Sequence, residues 1–337
     1  MATIKDVASD AGVAVGTVSK VLNGQYVSEK NKQKVEESIK KLGYQMNYYA
    51  RGLRASYTYT VAVIVPDILN PFFACLVSYI EKELYRNGYK MFLCQSQNDA
   101  EKEVYYLKLV RQNRVDGVIG ITFNETEPSL SVDVPIVMID RHLESDNCCV
   151  ASDNFHGGEL AVQKLLSGGS SRLLYIRTGS RLNSETLKRG QGFEAECKKQ
   201  GVFYTMVDFG DDAETYREAQ IFTYLKEHLT EGSKKRELFF DGIYTSTDGL
   251  ALYVLELLQK LEIRVPQDVQ VIGHDGLKRM NRGPYLLSSI AQPVEDMARV
   301  GVENVLRLIR KEQAAPLTIL PVTFAEGWTT RRTPDKQ

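Results

Sequence analysis

The chain is 337 residues long, 43% hydrophobic and 25% charged, with 42 Lys and Arg set against 43 Asp and Glu. At roughly 150 residues per domain this is about two domains with a small appendage, and the apolar content excludes a disordered or fibrous chain. No run comes near ~18 uninterrupted apolar residues, which excludes a membrane-spanning helix, and the charged start (Lys5, Asp6, Asp10) lacks the apolar stretch of a secretory signal.

The near-zero total hides an uneven distribution. Residues 1–58 carry nine basic and five acidic groups, a net of +4, which leaves −5 on the rest. A basic head on a mildly acidic body points to a polyanionic partner, nucleic acid first. Thr3 and Asp6 have the spacing of a capping box, and Ile4, Val7 and Ala8 give the helix that follows one apolar face. Asp10-Ala11-Gly12-Val13 predicts a tight turn, with Gly12 supplying the permissive backbone. A second helix from Val15 to Leu22 would bury Val18, Val21 and Leu22 and expose Val15, Gly16, Thr17, Ser19 and Lys20, before Asn23-Gly24 stops it. Ser28 would open a third helix with Val35, Ile39 and Leu42 facing inward. Two short helices across a glycine turn, braced by a third, make a helix-turn-helix whose second helix can enter a DNA major groove.

The string IKDVA-x-x-AGV-x-x-x-TVS-x-VLN, followed by VS-x-x-x-x-x-KV-x-x-x-x-x-x-LGY-x-x-N, resembles the lactose-repressor (LacI) family of bacterial transcription regulators. By that resemblance Val15, Gly16 and Lys20 face base edges, and Thr17, Ser19 and Asn23 hold phosphates. Gly16 has no side chain to read with, so Lys20 should carry most direct readout. Residues 47–55, NYYARGLRA, look like the family's hinge. Asn47 opens this segment, Leu53 would wedge into a minor groove, and Arg51 and Arg54 would meet phosphates. Most relatives have proline where this chain has Met46. The implied partition is a helix-turn-helix domain over 1–46, a hinge over 47–58 and an effector-binding, dimerising domain over 59–337.

From Thr60 onward short apolar runs alternate with amphipathic ones. Strands are predicted at TVAVIVPD, YKMFLCQS, DGVIGIT, VPIVMID, CCVASD, RLLYIRTG, DGIYTSTD and DVQVIGHDG, with helices such as 71–87, 100–113, 184–199 and 294–312 between them. Near-continuous Val/Ile runs separated by helices mean buried parallel strands, and so long a stretch calls for two lobes. Ligands of such sheets sit beyond the strand C-termini. Those ends carry Asp67 to Phe73, Asp140-Arg141, Asp153-Asn154, Arg189, Thr247-Asp248, Asp275 and Gln292, a set of carboxylates, guanidinia and aromatic faces suited to a sugar.

This body resembles the type I periplasmic-binding-protein fold, and NPFF, SQND, IDR, ASDN-x-x-GG, RG-x-GF, G-x-DG and IAQ-x-P look like ribose-binding protein in particular. The resemblance implies a first lobe of about 60–158 and 293–321 and a second of about 159–290 and 322–330. It also implies that Asn70, Asp140, Arg141, Arg189, Asp275 and Gln292 hydrogen-bond a sugar while Phe72 and Phe73 sandwich it. Thr247 stands where relatives usually carry Asn, which reduces one pair of ligand contacts, and His274 replaces the usual Phe or Tyr.

The fold class expected is therefore an all-α helix-turn-helix headpiece plus an α/β two-lobed effector domain. The function expected is a cytoplasmic repressor of a carbohydrate operon, a homodimer on palindromic operator DNA, controlled by a small-molecule effector such as a monosaccharide, without membrane or cofactor. The tail after Trp328 is too short for a heptad-repeat tetramerisation helix, which favours the dimer. The five cysteines (Cys75, Cys94, Cys148, Cys149, Cys197) lack a C-x-x-C pair and read as buried thiols. The four histidines lack metal-ligand spacing. No catalytic motif anchors an enzyme reading. A solute-binding protein of the same body would not need the basic head. A regulator that binds a phosphorylated carrier protein as corepressor would need an arginine where this chain has Glu303.

Overall fold

The structure is a computed structural model that describes residues 2–22, 25–44, 57–121, 134–141, 148–179, 184–210, 214–230, 239–279 and 283–331. The chain divides into two compact units, Met1–Thr58 and Tyr59–Gln337.

Among the described residues the first unit holds three helices, α1 (Ile4–Ala11), α2 (Val15–Leu22) and α3 (Glu29–Leu42). The capping box forms in full: Asp6 N–H donates to Thr3 Oγ1 and Thr3 N–H donates back to the Asp6 carboxylate. Gly12 ends α1 in the left-handed region at φ 62°. Val7, Ala8, Ala11, Val18 and Val35 form a small buried core, with Ile4, Val13, Val15, Val21, Leu22, Ile39 and Leu42 packed around it. Ser28 precedes α3, but its side chain caps nothing; its carbonyl instead accepts from Asn31 and Lys32 N–H. Ser38, a polar residue on the inner face of α3, is buried because its hydroxyl donates to the Val7 carbonyl at 3.2 Å.

Among the described residues the second unit holds two six-stranded sheets. The first has the order β11-β5-β4-β3-β1-β2, and every pairing in it is parallel. Its strands are β1 (Thr60–Val65), β2 (Lys90–Gln95), β3 (Gly117–Gly120), β4 (Ile136–Ile139), β5 (Cys148–Ser152) and β11 (Leu317–Leu320). The second has the order β12-β10-β9-β8-β6-β7, parallel except where β12 runs antiparallel to β10. Its strands are β6 (Arg172–Arg177), β7 (Phe203–Asp208), β8 (Gly242–Thr245), β9 (Gln270–Asp275), β10 (Ser289–Ala291) and β12 (Thr323–Ala325). The eight predicted strands are all present. The four additional ones, β7 and β10 to β12, are edge or very short strands whose residues do not make a long apolar run.

Each lobe has its own core. Helices Pro71–Arg86 and Val294–Ile309 cover one face of the first sheet through Leu76, Ile80, Leu84, Val302 and Val305, against Val61, Val63 and Ile139. Phe193, Ala161 and Leu165 pack on Tyr175, Tyr244 and Ile272 in the second. Helix Asn154–Ser167 packs on the second sheet and on helix Lys188–Gln200, so the crossover falls at Asp153 and not near residue 158. These two helices cross so closely that a Cβ at Gly192 would lie 1.9 Å from the Phe155 carbonyl oxygen, and one at Gly158 would lie 2.1 Å from that of Arg189. Only glycines permit that approach, and it places Asn154 beside Arg189.

Candidate functional site

On α2, Gly16 and Lys20 are exposed and lie four residues apart, one turn along the same face. A Cβ at Gly16 would meet nothing within 4 Å, so this face is open. Thr17 and Ser19 flank it, half-buried. Val15, expected to be exposed, is half-buried against the head's apolar core, so it serves packing at least as much as contact. Asn23 and the hinge residues Asn47, Arg51, Leu53 and Arg54 lie outside the described residues.

In the second unit the strand C-termini converge on a buried polar cluster. Asp140, just beyond β4, adopts a left-handed backbone at φ 54°. Its Oδ1 accepts from Ser152 N–H at 3.2 Å and from Asn154 Nδ2 at 3.3 Å. Its carbonyl oxygen accepts from Glu185 N–H and from Ser184 Oγ of the other lobe. Arg189, 3% exposed, donates from Nε to Asn154 Oδ1 and from Nη1 to the Ser246 carbonyl, both at 2.6 Å. Asp275 ends β9 at φ 141°, a conformation that L-residues rarely adopt. Its Oδ1 accepts from Gln292 Nε2 at 2.9 Å and stands 3.9 Å from Arg189 Nη1, beyond hydrogen-bond distance.

Asp248 lies behind this pair, fully buried, its carboxylate bonded by Leu277 N–H and Ser289 Oγ. Burial pushes the Asp248 and Asp275 carboxyls above the usual range, and their proximity raises Asp275 further; Arg189 pulls both down by less. Burial raises Asp140 in the same way. His274, wholly buried with Nδ1 2.7 Å from the Tyr244 hydroxyl, is pushed down by burial and then by Arg189, so it is neutral.

The structure thus brings Asp140, Arg189, Asp275 and Gln292 into one cluster, with Arg141 buried at the same strand end. Thr247 is the N-cap of helix Asp248–Lys260, its Oγ1 accepting from Leu250 N–H at 3.1 Å. Asn70 caps helix Pro71–Arg86 in the same way, through Phe72 N–H at 2.9 Å. Phe72 is 6% exposed in the first lobe's core, and Phe73 is half-buried against that core. The rings meet edge to face at 5.5 Å, so in this arrangement they are not two parallel walls. Asn154 and Asp248 lie among the polar strand ends that the sequence marks, and Ser152 lies beside them in the ASDN string; their hydrogen-bond partners come from distant segments and are not readable there. Among the described residues no group of three His, Cys, Asp or Glu side chains is placed to hold a metal ion. Nor is any described helix long and apolar enough to cross a membrane.

Residues 3–47 match the family of bacterial regulatory proteins, lacI family, and residues 162–332 match the periplasmic binding protein-like domain. The sucrose operon repressor of Streptococcus mutans is 33% identical over 97% of this chain and 99% of its own length. The chain belongs to the LacI family. The ribose operon repressor of Bacillus subtilis is 34% identical over 98% of the chain and 99% of its own length. A periplasmic binding protein/LacI transcriptional regulator from Alkaliphilus metalliredigens QYMF, solved with D-xylulofuranose, superposes with a TM-score of 0.71 at 28% identity. That likeness covers 81% of this LacI-family chain and all of the other. A headpiece joined to a two-sheet effector domain is the architecture of the family.

Proposed function

We propose that the protein is a cytoplasmic repressor of a carbohydrate operon that binds palindromic DNA as a homodimer and releases it when a small neutral sugar occupies the cleft between its lobes. The observation that carries this reading is the Arg189–Asp275 pair. A guanidinium and a carboxylate face each other 3.9 Å apart, each held by other partners and not by one another. Adjacent hydroxyls of a sugar can accept from one and donate to the other. The carboxylates of Asp140, Asp248 and Asp275 in the same cluster favour a neutral ligand over a sugar phosphate.

On the DNA side, Lys20 is the reading side chain on α2, with Gly16 opening the face for close approach; Thr17 and Ser19 are the phosphate contacts. The hinge pair would place Leu53 at the operator centre. The repressor names of the relatives, and the sugar in the structural neighbour, support this reading. Thermal melting with D-ribose, D-fructose and sucrose tests it: a ligand that binds the folded state raises the melting point. At least one of these sugars should do so while the corresponding sugar phosphate has a smaller effect. A melting point that none of them moves would contradict the sugar assignment.

A further inference from the structure

Six buried residues at the lobe junction form a ring that is open at one link. Asp140 Oδ1 accepts from Asn154 Nδ2, and Asn154 Oδ1 accepts from Arg189 Nε. Arg189 faces Asp275, and Asp275 accepts from Gln292 Nε2. Gln292 Oε1 accepts from the Ser152 hydroxyl at 2.8 Å, and Ser152 N–H returns to Asp140 Oδ1. None of the six is more than 7% exposed. Five of the six links are hydrogen bonds; the sixth, Arg189 to Asp275, is the 3.9 Å gap.

The ring is tied to two of the chain's passages between lobes. Ser152 ends β5 and Asn154 starts the helix beyond it, while Gln292 lies between β10 and helix Val294–Ile309. Asp140 follows β4, an interior strand of the first sheet, and Asp275 ends β9, an interior strand of the second. A ligand that spans the gap therefore completes a loop of polar contacts running through both lobes and both passages.

We infer that Ser152 and Asn154 are positioning residues that set how strongly ligand occupancy is coupled to the arrangement of the lobes, without themselves serving as the ligand's anchor. This rests on the effector-cleft reading for its ligand, though not for the ring. Both side chains are committed elsewhere: Ser152 Oγ to Gln292, and Asn154 to Asp140, Arg189 and the Ser152 carbonyl. Removing either breaks the ring at a point away from the gap. Gln292 or Arg189 then loses its support, and the two charged groups lose their fixed separation.

The test has two arms on the full chain. Without sugar, amide hydrogen exchange is followed at Glu185, whose N–H donates across the junction to Asp140, and at Gln292. Ser152→Ala and Asn154→Ala should each speed exchange at both sites by about five- to tenfold, the loss of one hydrogen bond. Interior strand amides at Ala62 and Leu174 should be unchanged, and Ser152→Thr, which keeps the hydroxyl, should behave as wild type. Unchanged exchange at Glu185 and Gln292 in both alanine variants would overturn the ring.

In the second arm, affinity is measured for whichever of D-ribose, D-fructose or sucrose raises the wild-type melting point most, with and without operator DNA. The ratio of the two affinities should move toward one in both variants, whereas a merely structural role would lower the melting point and keep the ratio. A preserved ratio would overturn the coupling role. If no sugar binds the wild type, the effector reading fails, and the exchange arm still decides the ring.

Discussion

Replacing Asp275 by alanine should separate ligand recognition from folding and from DNA binding. The carboxylate is 6% exposed and accepts from Gln292 Nε2 at 2.9 Å and from Asp248 N–H at 3.3 Å. Losing both acceptor contacts costs on the order of 1 kcal/mol each, but it also removes a carboxyl for which burial and the neighbouring Asp248 are unfavourable, so the sugar-free protein should lose less than about 2 kcal/mol. The sugar complex is different. Arg189 would be covered by ligand with no counter-charge, and truncating one partner of such a pair costs about 2–5 kcal/mol, or roughly 30- to several-thousand-fold in affinity. Operator binding, assigned to the headpiece, should persist. Anisotropy of a labelled operator, titrated with the sugar that most raises the wild-type melting point, reads both quantities. The variant should hold the operator at sugar concentrations that fully release the wild type. Release at the wild-type concentration would place the effector elsewhere and return Arg189 and Asp275 to a structural ion pair.

Three further outcomes follow from named contacts. Lys20→Ala should relax base preference at one symmetric operator position in a binding-site selection, whereas Thr17→Ala should weaken all sequences alike; a uniform loss in Lys20→Ala would remove its reading role. Thr247→Asn should leave the free energy of unfolding within about 0.5 kcal/mol of wild type, since Asn caps helices as well as Thr does, and should shift the order of preference among pentoses and hexoses; an unchanged order would exclude position 247 from the specificity of the cleft. Sugar binding should release protons near neutral pH, because hydroxyls donating to Asp275 favour its ionised form over the protonated form that burial and Asp248 promote. Affinity should then rise with pH until Asp275 is fully ionised, and identical calorimetric heats in buffers of different ionisation enthalpy would contradict this. For the sugar-free protein the sign is reversed: stability linked to these raised carboxyls is complete below the ordinary carboxylate pKa and is lost as pH rises through the folded-state value.

The parts of the molecule that repeat a simple pattern were legible in the sequence. Ile4, Val7 and Ala8, the Thr3–Asp6 box and Gly12 define α1 and its turn, and the Val/Ile runs define eight parallel strands. What escaped depends on partners distant in sequence. Ser38 is polar yet buried because Val7 offers it a carbonyl 31 residues away. Strand β7, FYTMVD, lies at a sheet edge and is only partly buried along its length, so it carries no continuous apolar run. Phe72 is spaced four residues from Leu76 and eight from Ile80, a core stripe readable in the sequence alongside the NPFF string that resembles a sugar-binding one. In the cleft, strand ends flagged Asp140, Asn154, Arg189, Asp275 and Gln292, but the partners of Ser152 and Asn154 come only from the crossing of two helices at Gly158 and Gly192 and from the return of Gln292 to β5.

On the proposed function, one ligand-binding equilibrium and one DNA-binding equilibrium share a single conformational change. Linkage then requires that the factor by which sugar weakens operator binding equal the factor by which operator weakens sugar binding. Calorimetric titration of sugar into the free protein and into its operator complex measures the second factor, and operator titration with and without saturating sugar measures the first. The two should agree and exceed about fivefold, at the low end of ordinary allosteric coupling. A sugar affinity that operator DNA leaves unchanged would contradict control of DNA binding by this cleft.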